Sequence, residues 1–325
     1  MCASKPLAER KALAAAILEE FAASATRYLW TDALAVMSWL RLGAVETARR
    51  HIHAVHEALA PSGARDPLHP TARGLRIGKP LPERAPDEPY DAELEWERDG
   101  QYYHYLTKWM QALEEMARAS SDERYRAWAR ELMVSAHRAF AHPADAPRRL
   151  YWKMSVDLSR PLVPSMGMHD ALDGLVAAAS LGLERETRDL ERMCAGREWA
   201  SADALGAGGL LLDALRLAQL GRHDFRTLLA RVLEDAARSV EAVARSGAFK
   251  LPAAHRLAFR ELGLALGLRG VEALGPHADV SRLNPFVPLA KALEDFWLDP
   301  AHQAQPSWTE HRDINAVTLA ASLAA

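Results

Sequence analysis

Apolar residues recur at a helical period along nearly the whole chain, and no segment shows the convincing apolar and polar alternation of a half-buried strand. The periodic segments are rich in Ala, Leu, Glu and Arg, which all favour helix. Breakers such as Gly43, Pro143 and Gly221 separate them. The pattern predicts helices over residues 7–24, 31–42, 45–59, 99–118, 122–140, 169–182, 185–194, 203–219, 224–245, 252–267, 279–297 and 310–323.

The connections between the predicted helices alternate between short and long. This alternation is typical of helical hairpins arranged in a ring, with inner and outer helices. In such a ring all the loops that enter inner helices lie at one end, so these loops should converge there. Helix 7–24 should close the ring against helix 310–323. The long entering loops are rich in aromatic and charged residues and cover residues 27–31, 62–98, 143–168 and 299–310.

The chain has 325 residues, which fits one helical ring. No shift in composition marks a domain boundary, and no internal repeat has a fixed period, so we predict a single domain over residues 1–325. An open array of helical pairs is the structural alternative. Residues 61–98 and 143–168 are predicted to be long functional loops within this domain.

Composition excludes several classes of function. The 43 acidic and 40 basic residues leave no basic footprint for nucleic acid. Cys2 and Cys194 are too isolated to form a disulfide framework, which favours a reducing cytoplasm. The sequence shows neither a secretion signal nor an apolar run of about 20 residues, so no membrane contact is expected. No cofactor is expected, and His169 and Asp173 lack a nearby third residue that would make a metal site.

The stretch from Glu95 to Trp109 mixes aromatic, acidic and basic side chains at the start of a predicted helix. Aromatic rings stack on the C–H faces of sugars while polar groups bind their hydroxyls, so this mixture favours a ring-shaped, polyhydroxylated ligand. The alternative is a purely structural role, in which Asp99 caps the helix and the Glu95 carboxylate interacts favourably with the helix dipole. Four polar residues would share one face of helix 99–118, namely Gln101, His104, Tyr105 and Lys108.

The other entering loops repeat this combination. Trp30 and Asp32 open helix 31–42, where Asp32 is equally explained as a cap. Arg76 and Lys79 lie in a stiff basic loop that is either a solvated surface or a site for an anionic group. The loop before helix 169–182 contributes Trp152, Lys153, Asp157, Arg160, His169 and Asp170, some of which could equally form a structural ion-pair cluster. The last loop contributes Trp308, Glu310, His311, Asp313 and Asn315.

With this architecture and these aromatic and acidic loops, the chain resembles the six-hairpin glycosidase-like superfamily of (α/α)6 toroids. The resemblance covers nearly the whole chain but includes no motif of a characterised family, so no catalytic residue is carried over. It implies an all-α (α/α)6 toroid of six hairpins, with the site at the end where the long loops enter the inner helices. Members of the superfamily include hydrolases, lyases, phosphorylases and sugar epimerases, so the fold alone does not choose among them.

The leading hypothesis is a glycoside hydrolase, which needs one carboxylic acid and one carboxylate. Asp99 and Asp157 are the first candidates for this pair, and the other carboxylate candidates are Glu95, Asp170, Glu310 and Asp313. The expected ligand is a small saccharide, and Arg76 and Lys79 would favour an anionic one. The predicted substrate-binding residues are Trp30, Asp32, Arg76, Lys79, Gln101, Tyr105, Lys108, Trp152, Lys153, Arg160, Trp308 and Asn315.

The second hypothesis is a sugar epimerase or isomerase in which His104, His169 and His311 supply the acid and the base, because imidazole can serve as either near neutral pH. The third is a saccharide-binding protein without chemistry. An epimerase leaves the mass of its substrate unchanged and incorporates solvent deuterium at carbon, whereas a hydrolase adds water. A binding protein gives no product.

Overall fold

A computed structural model of the chain describes residues 6–24, 26–61, 66–143 and 148–325. Cys2 and the parts of two predicted loops at 62–65 and 144–147 lie outside these residues. No helix in the described part of the chain is long and apolar enough to cross a membrane. The helices are α1 Leu7–Ala22, α2 Leu29–Arg41, α3 Val45–Leu59, α4 Ala92–Glu97, α5 Tyr103–Ser120, α6 Glu123–Phe140, α7 Asp170–Ser180, α8 Glu184–Cys194, α9 Ala204–Leu220, α10 Arg226–Arg245, α11 Ala258–Arg269, α12 Val271–Leu274, α13 Val287–Trp297, α14 Pro300–Gln303, α15 Pro306–Thr309 and α16 Arg312–Ala324. The strands are β1 Gln101–Tyr102, β2 Ala141–His142, β3 Arg149–Leu150, β4 Lys153–Met154 and β5 Pro161–Val163.

The chain divides into two compact units. The first unit, Ser24–Ala195, contains three helical hairpins, α2 with α3, α5 with α6, and α7 with α8. The second unit takes in α1 and the chain from Gly196 to Ala325, and it pairs α9 with α10, α11 with α13, and α16 with α1. The predicted hairpins are therefore confirmed, including the packing of the first helix against the last. The single domain over residues 1–325 stays a prediction.

Burial separates inner from outer helices in the first unit. Residues 31–39 of α2 and 170–179 of α7 are buried without interruption, because neighbouring helices enclose them. The outer helix α3 buries one main stripe, at Ala48, Ile52, Val55 and Leu59, and leaves its charged face in water. The inner helices α2, α5 and α7 pack side by side, so their N-terminal ends are brought together.

The sequence pattern missed a small antiparallel sheet in the order β1, β4, β5. Gln101 lies opposite Met154, and Tyr102 lies opposite Lys153. Strands of two or three residues are too short to show alternation, so periodicity could not predict them. Because residues 101–102 pair with β4, the predicted helix 99–118 begins only at Tyr103.

Two further helix starts differ from the prediction, and one short helix was not predicted. The helices predicted over 252–267 and 279–297 begin at Ala258 and Val287, after segments that contain 3-10 turns. The short helix α4 lies within a predicted loop, where Asp91 caps it by accepting hydrogen bonds from the backbone of Glu93 and Leu94.

Glycines allow an unusually close approach of α9 and α11 in the second unit. A Cβ atom on Gly208 would lie 2.1 Å from the carbonyl oxygen of Gly263, which is backbone and cannot rotate away. We expect Gly208→Ala to lower the free energy of unfolding by about 2–3 kcal/mol through overpacking. Urea denaturation measures this loss. The control is Gly275→Ala, where the added Cβ meets its nearest atom at 3.4 Å; equal unfolding midpoints for the two variants would contradict the prediction.

Candidate functional site

Aromatic side chains meet at the N-terminal ends of α2 and α5. The ring centroids of Trp30 and Tyr105 are 5.4 Å apart, and those of Trp96 and Trp152 are 4.7 Å apart. Three of the four predicted entering loops therefore converge, as expected, whereas the fourth belongs to the second unit. We name this group the aromatic cluster, and its members are Tyr28, Trp30, Trp96, Tyr102, His104, Tyr105 and Trp152.

His104, in the first turn of α5, lies at the centre of the aromatic cluster. Its ring is stacked on that of Tyr102, at a centroid distance of 5.4 Å, and on that of Trp152, at 6.1 Å. The Trp152 Nε1–H donates a hydrogen bond to His104 Nδ1 at 3.2 Å. Backbone pairing holds the two residues together, since Tyr103 N donates to Trp152 O as a continuation of the β1–β4 ladder.

The surroundings of His104 keep its ring neutral. The side chain of His104 is 22% exposed, and neighbouring groups enclose the rest. This burial lowers the pKa of His104 to about 4. The negative charge of Asp173 opposes the shift, and the charges of Lys108 and His169 add to it. His104 is therefore an uncharged imidazole at neutral pH.

Two carboxylates of α7 complete this side of the site. Asp170 Oδ1 lies 3.6 Å from His104 Nδ1, and Asp170 Oδ2 accepts a hydrogen bond from Gly167 N at 2.8 Å. Asp173 Oδ1 pairs with Lys108 Nζ at 2.8 Å, and both residues are buried. These contacts tie the first turns of α7 to α5 and fix the position of the imidazole relative to the carboxylates.

The Tyr28 and Tyr105 hydroxyls share a hydrogen bond of 2.7 Å on the α2 side of the cluster. Burial raises the pKa of both phenols, so both stay protonated at neutral pH. Tyr28 N donates to Asp32 Oδ2 at 2.7 Å, and His51 Nε2 lies 2.7 Å from Asp32 Oδ1. Asp32, a predicted substrate-binding residue, is fully buried. Its contacts anchor the loop that carries Tyr28.

Glu95 and Lys153 lie in the interior of the first unit. Lys153 is fully buried, and its Nζ donates to Glu95 Oε1 at 2.9 Å, to Glu95 O at 2.6 Å and to Arg98 O at 2.8 Å. Arg84 Nε donates to the other oxygen of Glu95 at 3.1 Å. The sequence proposed a catalytic Glu95 and a substrate-binding Lys153, but their contacts hold loop 61–98 against β4.

Asp99 and Gln101 brace the same loop. Asp99 accepts from Arg76 Nη1 at 2.8 Å and from Gly78 N at 3.1 Å. Gln101 accepts from Leu75 N at 2.9 Å and donates to Val156 O at 2.7 Å. Gln101 is therefore not on the helical stripe predicted for it, and Arg76 is engaged by Asp99.

Lys79 and Arg160, both predicted to bind substrate, also lie around this loop. Lys79 N donates to Asp99 Oδ1 at 3.4 Å, and burial lowers the pKa of the Lys79 ammonium. Arg160 Nη2 donates to Arg84 O and lies 3.8 Å from Glu83. Lys79 and Arg160 thus contact mainly residues within this loop or directly after it.

Asp157 is exposed in the turn between β4 and β5. It accepts hydrogen bonds from Ser155 Oγ and Ser159 Oγ, each at 2.7 Å, and these bonds lower the pKa of Asp157 to about 2. A general acid of a glycosidase needs a raised pKa. Asp157 is therefore poorly suited to that half of the predicted carboxylate pair.

The predicted site residues of the last loop belong to the second unit. Trp308 is 5% exposed and stacks on Trp297 at 5.7 Å, so its ring packs in the interior instead of forming an open sugar-binding wall. Asn315 accepts from Phe259 N at 2.9 Å and donates to Trp308 O at 3.0 Å. Its side chain therefore stabilises the backbone. The side chains of Glu310, His311 and Asp313 are exposed.

Sequence reasoning left Tyr28, Tyr102 and Asp173 out of the predicted site. Tyr28 stands in the same loop as Trp30, so the aromatic pattern contained that signal. Tyr102 could not be placed without β1, which turns its ring onto His104. Among residues 6–24, 26–61, 66–143 and 148–325, no three His, Cys, Asp or Glu side chains are grouped to hold a metal ion.

Comparison with family models and with curated proteins finds no match to this sequence. Among solved structures, the chain is similar to cellobiose 2-epimerase from Spirochaeta thermophila, with a TM-score of 0.54 and 14% sequence identity. The similarity covers 90% of this chain and 84% of that protein. It confirms the predicted fold class, an all-α (α/α)6 fold, and at this identity it carries the fold alone.

Proposed function

We propose that this protein is a carbohydrate-active enzyme, and that it is a sugar epimerase or isomerase. The observation that carries the proposal is the neutral His104 imidazole, which stacks on the rings of Tyr102 and Trp152, remains 22% exposed and has the Asp170 carboxylate 3.6 Å from its Nδ1. The shared fold with a cellobiose 2-epimerase supports the same class of reaction.

The residues of the first unit suit proton transfer at a carbon next to a carbonyl group. The aromatic cluster would hold the sugar, whose ring-opened form exposes the aldehyde. A base removes the proton from C2, and the C–H electron pair moves towards the carbonyl oxygen to give an enediolate. Return of a proton to the opposite face of C2 inverts that carbon, whereas protonation of C1 together with transfer of the O2 proton to O1 gives the ketose. His104, His169 and Asp170 are the proton-handling candidates.

The contacts of the carboxylates favour this reaction over glycoside hydrolysis. Asp99 and Asp157 were the first candidates for the carboxylate pair of a hydrolase, yet Asp99 is held by Arg76 and Asp157 has a lowered pKa. Arg76 and Lys79 together were the reason to expect an anionic ligand. Asp99 pairs with Arg76, and burial lowers the pKa of Lys79, so we propose a neutral saccharide as the substrate.

The decisive experiment is incubation of the purified protein with aldoses and glucose-containing disaccharides in D₂O, followed by proton NMR and mass spectrometry. We expect an epimer or ketose, with deuterium at the reacting carbon and no change in the number of sugar units. Release of monosaccharides from a disaccharide would instead establish a hydrolase. Sugar acids and sugar phosphates belong in the same screen, and binding without any product would overturn the enzymatic proposal.

A further inference from the structure

The hydrogen bond between Trp152 and His104 has a direction that chemistry fixes. An indole N–H is only a donor, so the ring nitrogen that receives it must carry a lone pair. His104 Nδ1 is that acceptor, at 3.2 Å from Trp152 Nε1. A neutral imidazole with an unprotonated Nδ1 carries its proton on Nε2. The bond therefore selects one of the two neutral tautomers.

We propose that Trp152 is a positioning residue that holds His104 as the Nε2–H tautomer, so that His104 acts as a neutral hydrogen-bond donor to a substrate oxygen. The Nδ1 lone pair is occupied by the indole, and the Nε2 position carries a proton rather than a lone pair. In this state neither nitrogen is free to remove a proton from carbon. The assignment of His104 as a donor rests on the proposed function, but the tautomer does not.

His104 and the residues at the start of α7 would then have different roles in the reaction. A donor at Nε2–H stabilises negative charge that develops on the carbonyl oxygen as an enediolate forms. No proton needs to leave His104 for this interaction. Removal of the proton from carbon then falls to another group, and the candidates are Asp170, whose Oδ1 lies 3.6 Å from His104 Nδ1, and His169, whose charge acts on His104.

The position of Asp170 favours a proton on His104 Nδ1, and the indole N–H of Trp152 opposes it. Asp170 Oδ1 lies 3.6 Å from His104 Nδ1, so a proton on Nδ1 would face a carboxylate. Without the indole N–H, Nδ1 would become protonated and pair with Asp170, which favours the imidazolium. The titratable groups around His104 are Asp170 and Asp173 from α7, His169 directly before α7, Lys108 and Tyr105 from α5, and Tyr102 from β1.

The first measurement uses the wild-type protein without substrate. Long-range ¹H–¹⁵N NMR of protein labelled at histidine, with His104 assigned from the His104→Asn spectrum, reports which ring nitrogen is protonated. We expect an unprotonated Nδ1 and a protonated Nε2 at pH 7. A protonated Nδ1 would overturn the proposal, whatever the sugar assays show. Conversely, the expected tautomer together with no epimerase or isomerase product would overturn only the proposed function.

The second measurement uses Trp152→Phe, which keeps an aromatic ring and removes the donor. We expect His104 to become protonated at a pH about 1–2 units higher than in the wild type. The acid limb of activity should move to higher pH by the same amount. The matched control is Trp96→Phe, whose ring contacts Trp152 and Tyr102, and it should leave the NMR signature of His104 unchanged. Equal titration of His104 in the wild type and in Trp152→Phe would contradict the positioning role.

Discussion

Replacing His104 by asparagine should lower kcat by about 10²- to 10⁴-fold, the usual contribution of a side chain that transfers a proton or stabilises an oxyanion in the transition state. Asparagine keeps a polar group of similar length, so the neighbouring rings can stay in place. It does not reproduce the imidazole, which accepts from Trp152 on one edge and leaves its other nitrogen for the substrate. The measurement is the initial rate of deuterium incorporation under saturating substrate.

Two controls separate this effect from misfolding. His223→Asn makes the same chemical change at an exposed residue of the second unit, and it should leave the rate within a factor of about two. The unfolding temperature of His104→Asn should stay close to that of the wild type. A His104→Asn protein that folds normally and turns over at the wild-type rate would remove His104 from the mechanism.

The largest loss of stability is expected for Lys153→Met. The change leaves the Glu95 carboxylate, which is 2% exposed, with Arg84 as its remaining ionic partner, and it withdraws a donor from two buried carbonyl groups. Breaking a buried pair by removing one member costs about 3–5 kcal/mol. Urea denaturation should therefore show this decrease in the free energy of unfolding.

The comparison variant for Lys153 is Lys291→Met, which removes a partly exposed lysine that pairs with Asp295 one turn away. Such helical pairs contribute about 0.3–0.5 kcal/mol, so this variant should unfold close to the wild type. Adding Glu95→Gln to Lys153→Met should recover part of the loss, because it neutralises the charge that was left behind. A loss below about 1 kcal/mol for Lys153→Met would show that the interior pair contributes little.

The helical hairpins could be predicted from sequence because each long helix has a period that its packing confirms. The inner helix α2 is apolar along most of its length, whereas the outer helix α3 is amphipathic, with one apolar face and one charged face. The sheet of β1, β4 and β5 could not be predicted, since backbone pairing across about 50 residues leaves no local pattern. That sheet positions Tyr102 and Trp152, so their placement in the site could not be predicted from the sequence either.

The aromatic residues of the site could be placed from the sequence more readily than the polar ones. Polar residues of the same types either bind a ligand or brace a loop, and the sequence does not tell the two apart. Trp30, His104, Tyr105 and Trp152 lie together in the structure, and their role in binding a ligand stays a prediction. Asp99, Glu95 and Gln101 looked like candidates of the same kind, but a long internal loop has backbone groups that must be satisfied. Polar side chains that brace such a loop have the same composition as polar side chains that bind a sugar, and only their contacts distinguish them.

The bracing of loop 61–98 has a consequence for how a substrate reaches the aromatic cluster. Asp99, Gln101 and Lys153 hold residues 75–98 of this loop through hydrogen bonds to backbone atoms of Gly78, Leu75 and Arg98, so we expect this part to form a fixed wall of the site and not a lid that opens and closes. Selection among sugars on this side would then depend on a shape that exists before binding. A wall that is already ordered loses little conformational entropy when the ligand arrives, which favours affinity without a slow closing step.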